Sequence, residues 1–272
     1  GGSGGNAGLF NRAANVTLGN EAVGLTMGNT FSVAVASMFG GATGGAGDNV
    51  NVPAVVRMFG GVPGVVVHTG GTLVDNAASA FDTLSISGFF IPEALTLRVS
   101  AGGLTLKAQT RVRANSTTAG AEASGYRAVS ISGSADAVNW AFGAQESSGL
   151  TALGLADEYK TTFVSANTKI GDIGLNGAYA RNSGLVSGST YMVGASYPLS
   201  EAASIGAIYA RGLAGDNQTS VNLKYSLSKS TVAYATLSKF AIDGGTTNYS
   251  NTNNGGLAGV TQAISAGISH SF

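Results

Sequence analysis

Apolar and polar residues alternate with a period close to two over much of this chain, in segments of about ten residues separated by turn chemistry. In Gly103–Arg113, one face holds Leu104, Leu106, Ala108, Thr110 and Val112, and the other Thr105, Lys107, Gln109, Arg111 and Arg113. In Ala137–Gln145, Val138, Trp140, Phe142 and Ala144 oppose Asn139 and Gln145. Val221, Leu223, Tyr225 and Leu227 likewise oppose Ser220, Asn222, Lys224 and Ser226. The segments 159–169, 172–181 and 203–211 alternate less cleanly, and Arg127 falls on the apolar phase of its strand, as a rim residue would. A side-chain period of two is the period of a strand with two different faces. No run offers a membrane helix, which needs about 20 apolar residues. The longest apolar stretch, Val52–Val67, contains Arg57, two prolines and three glycines.

Composition narrows the class. Charged residues are only 10% of the chain, and glycine numbers 42, well above the usual share of about 7%. Fourteen basic and fourteen acidic side chains cancel, so no global field draws the chain to nucleic acid. There is no cysteine, and the histidines are His68 and His270 alone, which excludes disulfide frameworks, thiolate metal sites and multi-histidine centres. The opening GGSGGNAGLF lacks the basic start and apolar middle of a signal peptide.

The connections come in two kinds that take turns. Ala101-Gly102-Gly103, Ser134–Asp136, Pro198–Ala202 and Leu227–Ser230 are short; Ala114–Ser124, Glu146–Glu158, Asn182–Gly188, Gly212–Asn217 and Ile242–Leu257 are long and polar. In an antiparallel meander this puts all short turns at one end and all long loops at the other. A soluble sandwich has no reason to sort its loops, whereas an outer-membrane barrel does. The expected fold is therefore all-β: a transmembrane, antiparallel up-and-down barrel, closed so that every backbone group is satisfied in lipid. Tyr159, Tyr179, Tyr191, Tyr197, Tyr209 and Tyr225 lie near strand ends, where an aromatic girdle belongs. The rival architecture, a Gly-rich β-solenoid or surface adhesin, requires a fixed repeat period, and none is visible.

Several stretches resemble the Gram-negative general porins, the trimeric, 16-stranded outer-membrane family, and β-proteobacterial porins in particular. FNRAANVTLGNEAVGLTMGN at Phe10–Asn29 is similar to the family's fourth and fifth strands. ALTLRVSAGGLTLKAQ at Ala94–Gln109 resembles the hairpin after the constriction loop. TYMVGASYPLS at Thr190–Ser200 and VNLKYSLSKSTVAYATLSKF at Val221–Phe240 match later hairpins, and ISAGISHSF ends the chain on Phe272. The likeness is collinear and spans most of the sequence. With residues 12–18 as the fourth strand, thirteen strands run to the terminus, so about three of the family's strands have no counterpart. The alternative draws extra strands from Thr30–Phe90, using FSVAVASMF, PAVVRMF, GVVVHT and DTLSISGFF.

The resemblance implies a single barrel domain over 1–272 with a constriction-loop region at 30–93 that folds inward. That span is unusually apolar and lacks the family's acidic tip; between Thr30 and Ile91 its acids are Asp48, Asp75 and Asp82. Catalytic readings fail on inventory: two isolated histidines make no triad, and glycine doublets such as GGATGGAGD lack a phosphate-loop lysine. The chemistry that remains is cationic. Arg98 alternates with Thr96 and Ser100 opposite Leu95, Leu97 and Val99, and by resemblance Arg98 and Arg12 match the wall arginines that face the third loop. Arg12 is the weaker match, being in phase with Val16 and Leu18. Lys107, Arg111, Arg113 and Lys224 share the lumen phase of their strands. For each of these cations a water-exposed lining residue without special effect is the competing interpretation. The ending presents Ile264, Ile268 and Phe272 in one phase and resembles the signal read by the outer-membrane assembly machinery.

The expected function is passive diffusion of small hydrophilic solutes and ions across the bacterial outer membrane, with a mild anion preference and no cofactor or chemical step. The expected partners are outer-membrane lipid and two further copies in a homotrimer. Arg98→Glu is expected to shift selectivity and leave folding intact, on the premise that the side chain is in water either way. A structural or adhesive β-protein of the cell envelope, without pore activity, is the alternative.

Overall fold

The computed structural model describes residues 14–34, 36–38, 90–112, 125–148, 158–184, 188–211, 217–241 and 262–270. In them thirteen strands form one sheet in strictly sequential order. They are β1 (Ala14–Gly19), β2 (Val23–Phe31), β3 (Phe90–Ala101), β4 (Leu104–Arg111), β5 (Gly125–Ala135), β6 (Val138–Ser148) and β7 (Glu158–Ile170). They continue with β8 (Ile173–Gly184), β9 (Gly188–Pro198), β10 (Ala203–Arg211), β11 (Asn217–Ser226), β12 (Thr231–Ala241) and β13 (Gln262–His270). Every neighbouring pair is antiparallel, and among the described residues β1 and β13 do not pair, so the sheet is not closed. No helix among those residues is long and apolar enough to cross a membrane.

β2 pairs directly with β3, from Val23↔Val99 to Phe31↔Phe90. None of the extra strands offered for 30–90 can therefore lie between them. FSVAVASMF begins with the last residue of β2 and then turns helical: Val33, Ala34 and Ala36–Met38 are helical, with Ala36 N–H donating to Ser32 O at 2.9 Å. The other three candidate strands fall almost wholly outside the described residues. The proposed 30–93 region also loses its ends to the sheet, since Thr30–Phe31 belong to β2 and Phe90–Glu93 to β3.

The ends of the sheet are sorted as the sequence suggested. Connections from an odd to an even strand are tight, and local chemistry makes them so. Gly102 and Gly103 both take positive φ (58° and 80°), the requirement of a two-residue hairpin with primed geometry. Asp136 takes φ 52° at the β5–β6 turn, a conformation Asp tolerates better than most side chains. At the β1–β2 turn, Asn20 Oδ1 accepts from the N–H of Ala22 and of Val23 at 2.9 Å. A further tight turn at 171–172 joins β7 and β8, within a stretch whose alternation is weak.

One departure is instructive. Asn182–Gly188 is no long loop: β8 runs to Gly184 and β9 begins at Gly188. Asn182 is buried and accepts from Thr161 Oγ1 at 2.8 Å, and Thr190 is buried as well. Small polar residues that look like loop are strand residues here, because one face of the wall is polar.

The outer face is apolar and exposed. Val16, Leu97, Phe142, Val164, Val193 and Leu223 all stand on it, each at least 40% exposed. An apolar surface of this extent, continuous around a sheet, has to be covered by something other than water. Trp140, Tyr197 and Tyr225 occupy the turn-side edge of that face, and Tyr179, Tyr191 and Tyr209 the loop-side edge. The side chain of Tyr159 lies outside the described residues. Above the loop-side belt, Arg127, Glu146 and Lys160 lie directly opposite one another on β5, β6 and β7. Arg127 Nη2 reaches Glu146 Oε1 at 2.6 Å and Lys160 Nζ reaches Glu158 Oε2 at 2.6 Å. The apolar phase of Arg127 is thus confirmed, and its charge is paired at the rim.

The inner face is polar for most of its extent: Gln109, Ser130, Gln145, Asn167, Asn176 and Asn222 are all on it. It departs from the expected pattern at Phe163, Met192 and Ile208, which share the inner phase and are almost fully buried. They belong to one apolar cluster with Val33, Ala34 and Met38 of the helical turn. The inner wall is water-facing only where nothing covers it, and at these positions it is covered.

Candidate functional site

The site is the inner wall with the segment docked on it. After β2 the chain turns inward rather than continuing past the rim. Ser32 Oγ and Tyr126 Oη share a hydrogen bond of 2.8 Å, and Ser37 Oγ and Ser130 Oγ share one of 2.7 Å. Val33 N–H donates to Gln109 Oε1 at 2.9 Å. Tyr126, Ser130 and Gln109 all point inward from β4 and β5, so the segment 32–38 lies against the lumen side of the wall. Burying a Val or Met side chain contributes roughly 1.5–3 kcal/mol each, and each neutral hydrogen bond a net 0.5–1.5 kcal/mol or so. The docking is therefore a substantial interaction made without a single charge.

Among the described residues, the charges on the inner wall are basic. Arg98 and Lys107 face each other across β3 and β4. Like charges directly opposite are destabilising, and of the two, Arg98 finds acceptors nearby. Arg98 swings to the β1–β2 turn, where Nη1 donates to Glu21 O at 2.9 Å and Nη2 to Asn20 O at 2.7 Å. The guanidinium passes beside Gly24, within ordinary contact distance of where a Cβ would stand. Lys107 stays half-buried, and among the described residues no hydrogen bond or ion pair engages its ammonium. The premise that Arg98 is simply in water is thus not met.

Arg111 occupies the inner phase opposite Ala94, nearer the loop side. Lys224 stands on the inner phase of β11 opposite Ser204 and Tyr234, seven strands along the sheet from Lys107. Lys169, which the irregular alternation of its segment concealed, joins the inner phase on β7 opposite Gly174. The acids among the described residues lie elsewhere: Glu146 and Glu158 are on the outer face, Glu93 is at the irregular start of β3, and Glu21, Asp136, Asp172 and Glu201 are in turns. Arg12, Arg113 and Phe272 lie outside the described residues. Ile264 and Ile268 face outward and are strongly exposed, in register with Leu237 and Ala233 of β12.

An apolar outside, a polar and cationic inside and a loop tucked into the lumen define a transmembrane pore wall. The comparison with known families agrees: residues 1–245 match the family described as Gram-negative porin. The chain belongs to the Gram-negative porin family. It is accordingly a protein of the bacterial outer membrane. Among solved structures, the sheet superposes on the Salmonella typhi OmpF complex with daunomycin at a TM-score of 0.66 and 12% identity, covering 96% of this chain and 78% of that one. It resembles the anion-selective porin from Comamonas acidovorans at 0.54 and 14%, covering 83% and 66%. The outer-membrane expressed OmpT of Vibrio cholerae follows at 0.52 and 12%, covering 84% and 70%. At these identities the likeness speaks for the fold. No curated protein sequence is matched.

Proposed function

We propose that this porin forms a water-filled channel for passive diffusion of small hydrophilic solutes and ions, with a mild preference for anions. The observation that carries this reading is the placement of Arg98, Lys107, Arg111, Lys169 and Lys224 on the inner phase, while the paired acids Glu146 and Glu158 sit on the outer one. Formal neutrality of the whole chain does not cancel this, because a low-dielectric wall focuses the field of the charges that line it. Of these cations, Lys107 is the strongest candidate for contact with a passing anion, since Arg98 is engaged at a turn. The Comamonas relative in fold, whose own description is that of an anion-selective porin, lends support in the same direction.

The segment 32–38 and the span beyond it, up to the start of β3 at Phe90, narrow the channel as a constriction. Assembly is as a homotrimer in outer-membrane lipid, with Ile264, Ile268 and Phe272 serving assembly. Transport involves no chemical step and no cofactor. A liposome-swelling assay tests the reading against a structural or adhesive role. Vesicles bearing the refolded porin should swell in small sugars and progressively less in larger ones. Vesicles that swell no faster than protein-free controls would contradict pore formation.

A further inference from the structure

The chain leaves β2 through an irregularity in the ladder. Gly28 pairs with Ala94 and Thr30 with Ile91, so Asn29 stands against Pro92 and Glu93, and Glu93 takes a left-handed φ of 52°. A bulge of this kind bends a strand and re-aims the chain beyond it. The redirected segment must then be caught, because a backbone N–H turned into the wall needs an acceptor. Gln109 provides it. Its Oε1 accepts from Val33 N–H at 2.9 Å, and its Nε2 donates to Thr30 Oγ1 at 2.6 Å and to Thr96 Oγ1 at 3.0 Å. The backbone donor fixes which way the amide points. One buried side chain on β4 thereby joins the end of β2 at Thr30, the wall strand β3 at Thr96 and the inward segment at Val33.

We propose that Gln109 is the positioning residue for the constriction: it sets where the segment 32–38 departs from the wall and so fixes the width of the open channel. The proposal rests on the reading of that segment as the constriction. Tyr126 holds the segment at Ser32 and at the backbone of Ala34, and Ser130 holds it at Ser37. Gln109 engages the segment and both strands β2 and β3 through one group, and this is where the direction of departure is decided. Because the group is a neutral amide, its hold does not depend on ionic strength as an ion pair would.

Single-channel recording on the whole protein tests this. Gln109→Leu leaves Val33 N–H without its acceptor, and the expected result is loss of the single conductance step in favour of a spread of larger, flickering levels. Gln109→Glu should restore one step, since a carboxylate accepts from Val33 N–H and from both threonine hydroxyls, with Lys107 and Arg111 beside it on the same strand face. If the leucine variant does not fold, Thr96→Val carries the test: it removes one wall contact of Nε2, and increased flicker supports the proposal where a wild-type trace overturns it. Ala36→Trp, at a part-exposed position of the segment, reports on the constriction itself and should lower conductance. A lowered step in Ala36→Trp beside a wild-type step in Gln109→Leu would overturn the role of Gln109 and leave the constriction standing. Unchanged conductance in both would remove the constriction as well.

Discussion

Arg98 shows how a residue chosen for its charge can be held by its hydrogen bonds. Its two donors close the carbonyls of Asn20 and Glu21, groups that no strand partner reaches at a tight turn. Hydrogen bonds to a charged donor are worth about 1.5–3 kcal/mol, so Arg98→Met should lower stability by about that much, read as an earlier midpoint in urea unfolding of the detergent-solubilised protein. An unchanged midpoint would show that water serves those carbonyls equally well. Arg98→Glu should fare worse than Arg98→Met, because a carboxylate would face two carbonyl oxygens. The phase of Arg98, Lys107, Arg111 and Lys224 was legible in simple alternation. The swing of Arg98 was not, for it depends on a turn some 77 residues earlier in the chain.

At the scale of the strand, legibility followed the contrast between the two faces. Where large apolar residues alternate with polar ones, as in Leu104–Arg111 and Asn217–Ser226, the strands are found within a residue or two of where the rhythm put them. Where the inner face carries Ser, Thr and Asn, the rhythm weakens and strand looks like loop. This is why β6 extends past Gln145 through Ser147 to Ser148, and why Asn182–Gly184 belongs to β8. The same weakness hid Lys169 behind Thr168 and Ile170. The inward docking of 32–38 had no local signal, because its partners Gln109, Tyr126 and Ser130 are 76 to 94 residues away in sequence. The sorting of the connections predicts an orientation of the sheet, with tight turns facing the periplasm. The native chain has no cysteine, so single cysteines are clean reporters. In intact cells, Ser183→Cys at the loop-side end of β8 should be labelled by an impermeant maleimide, and Ser228→Cys in the β11–β12 turn should not. The opposite pattern would invert the orientation.

For the molecule as a whole, the outer face sets a height and the inner face a potential. From Ile173 to Arg181 on β8 the strand covers about 27 Å at ~3.4 Å per residue, or about 21 Å of membrane normal at a tilt of ~40°. This is close to the apolar band of about 25 Å that outer-membrane barrels present, and the charge row of Arg127, Glu146 and Lys160 stands at its loop-side edge. There a charge on the lipid face costs only about 0–1 kcal/mol. On the inner side no described acid stands in register with Arg98, Lys107, Arg111, Lys169 or Lys224, and the anion bias proposed for them is screened over about 10 Å at 0.1 M salt. Reversal potential across a planar bilayer in a potassium chloride gradient measures this most directly. The wild-type pore should insert in discrete steps and reverse on the chloride side, more so at low ionic strength, and Lys107→Glu should move the reversal towards potassium. A wild-type pore that reverses on the potassium side, or that never opens in steps, would contradict the account.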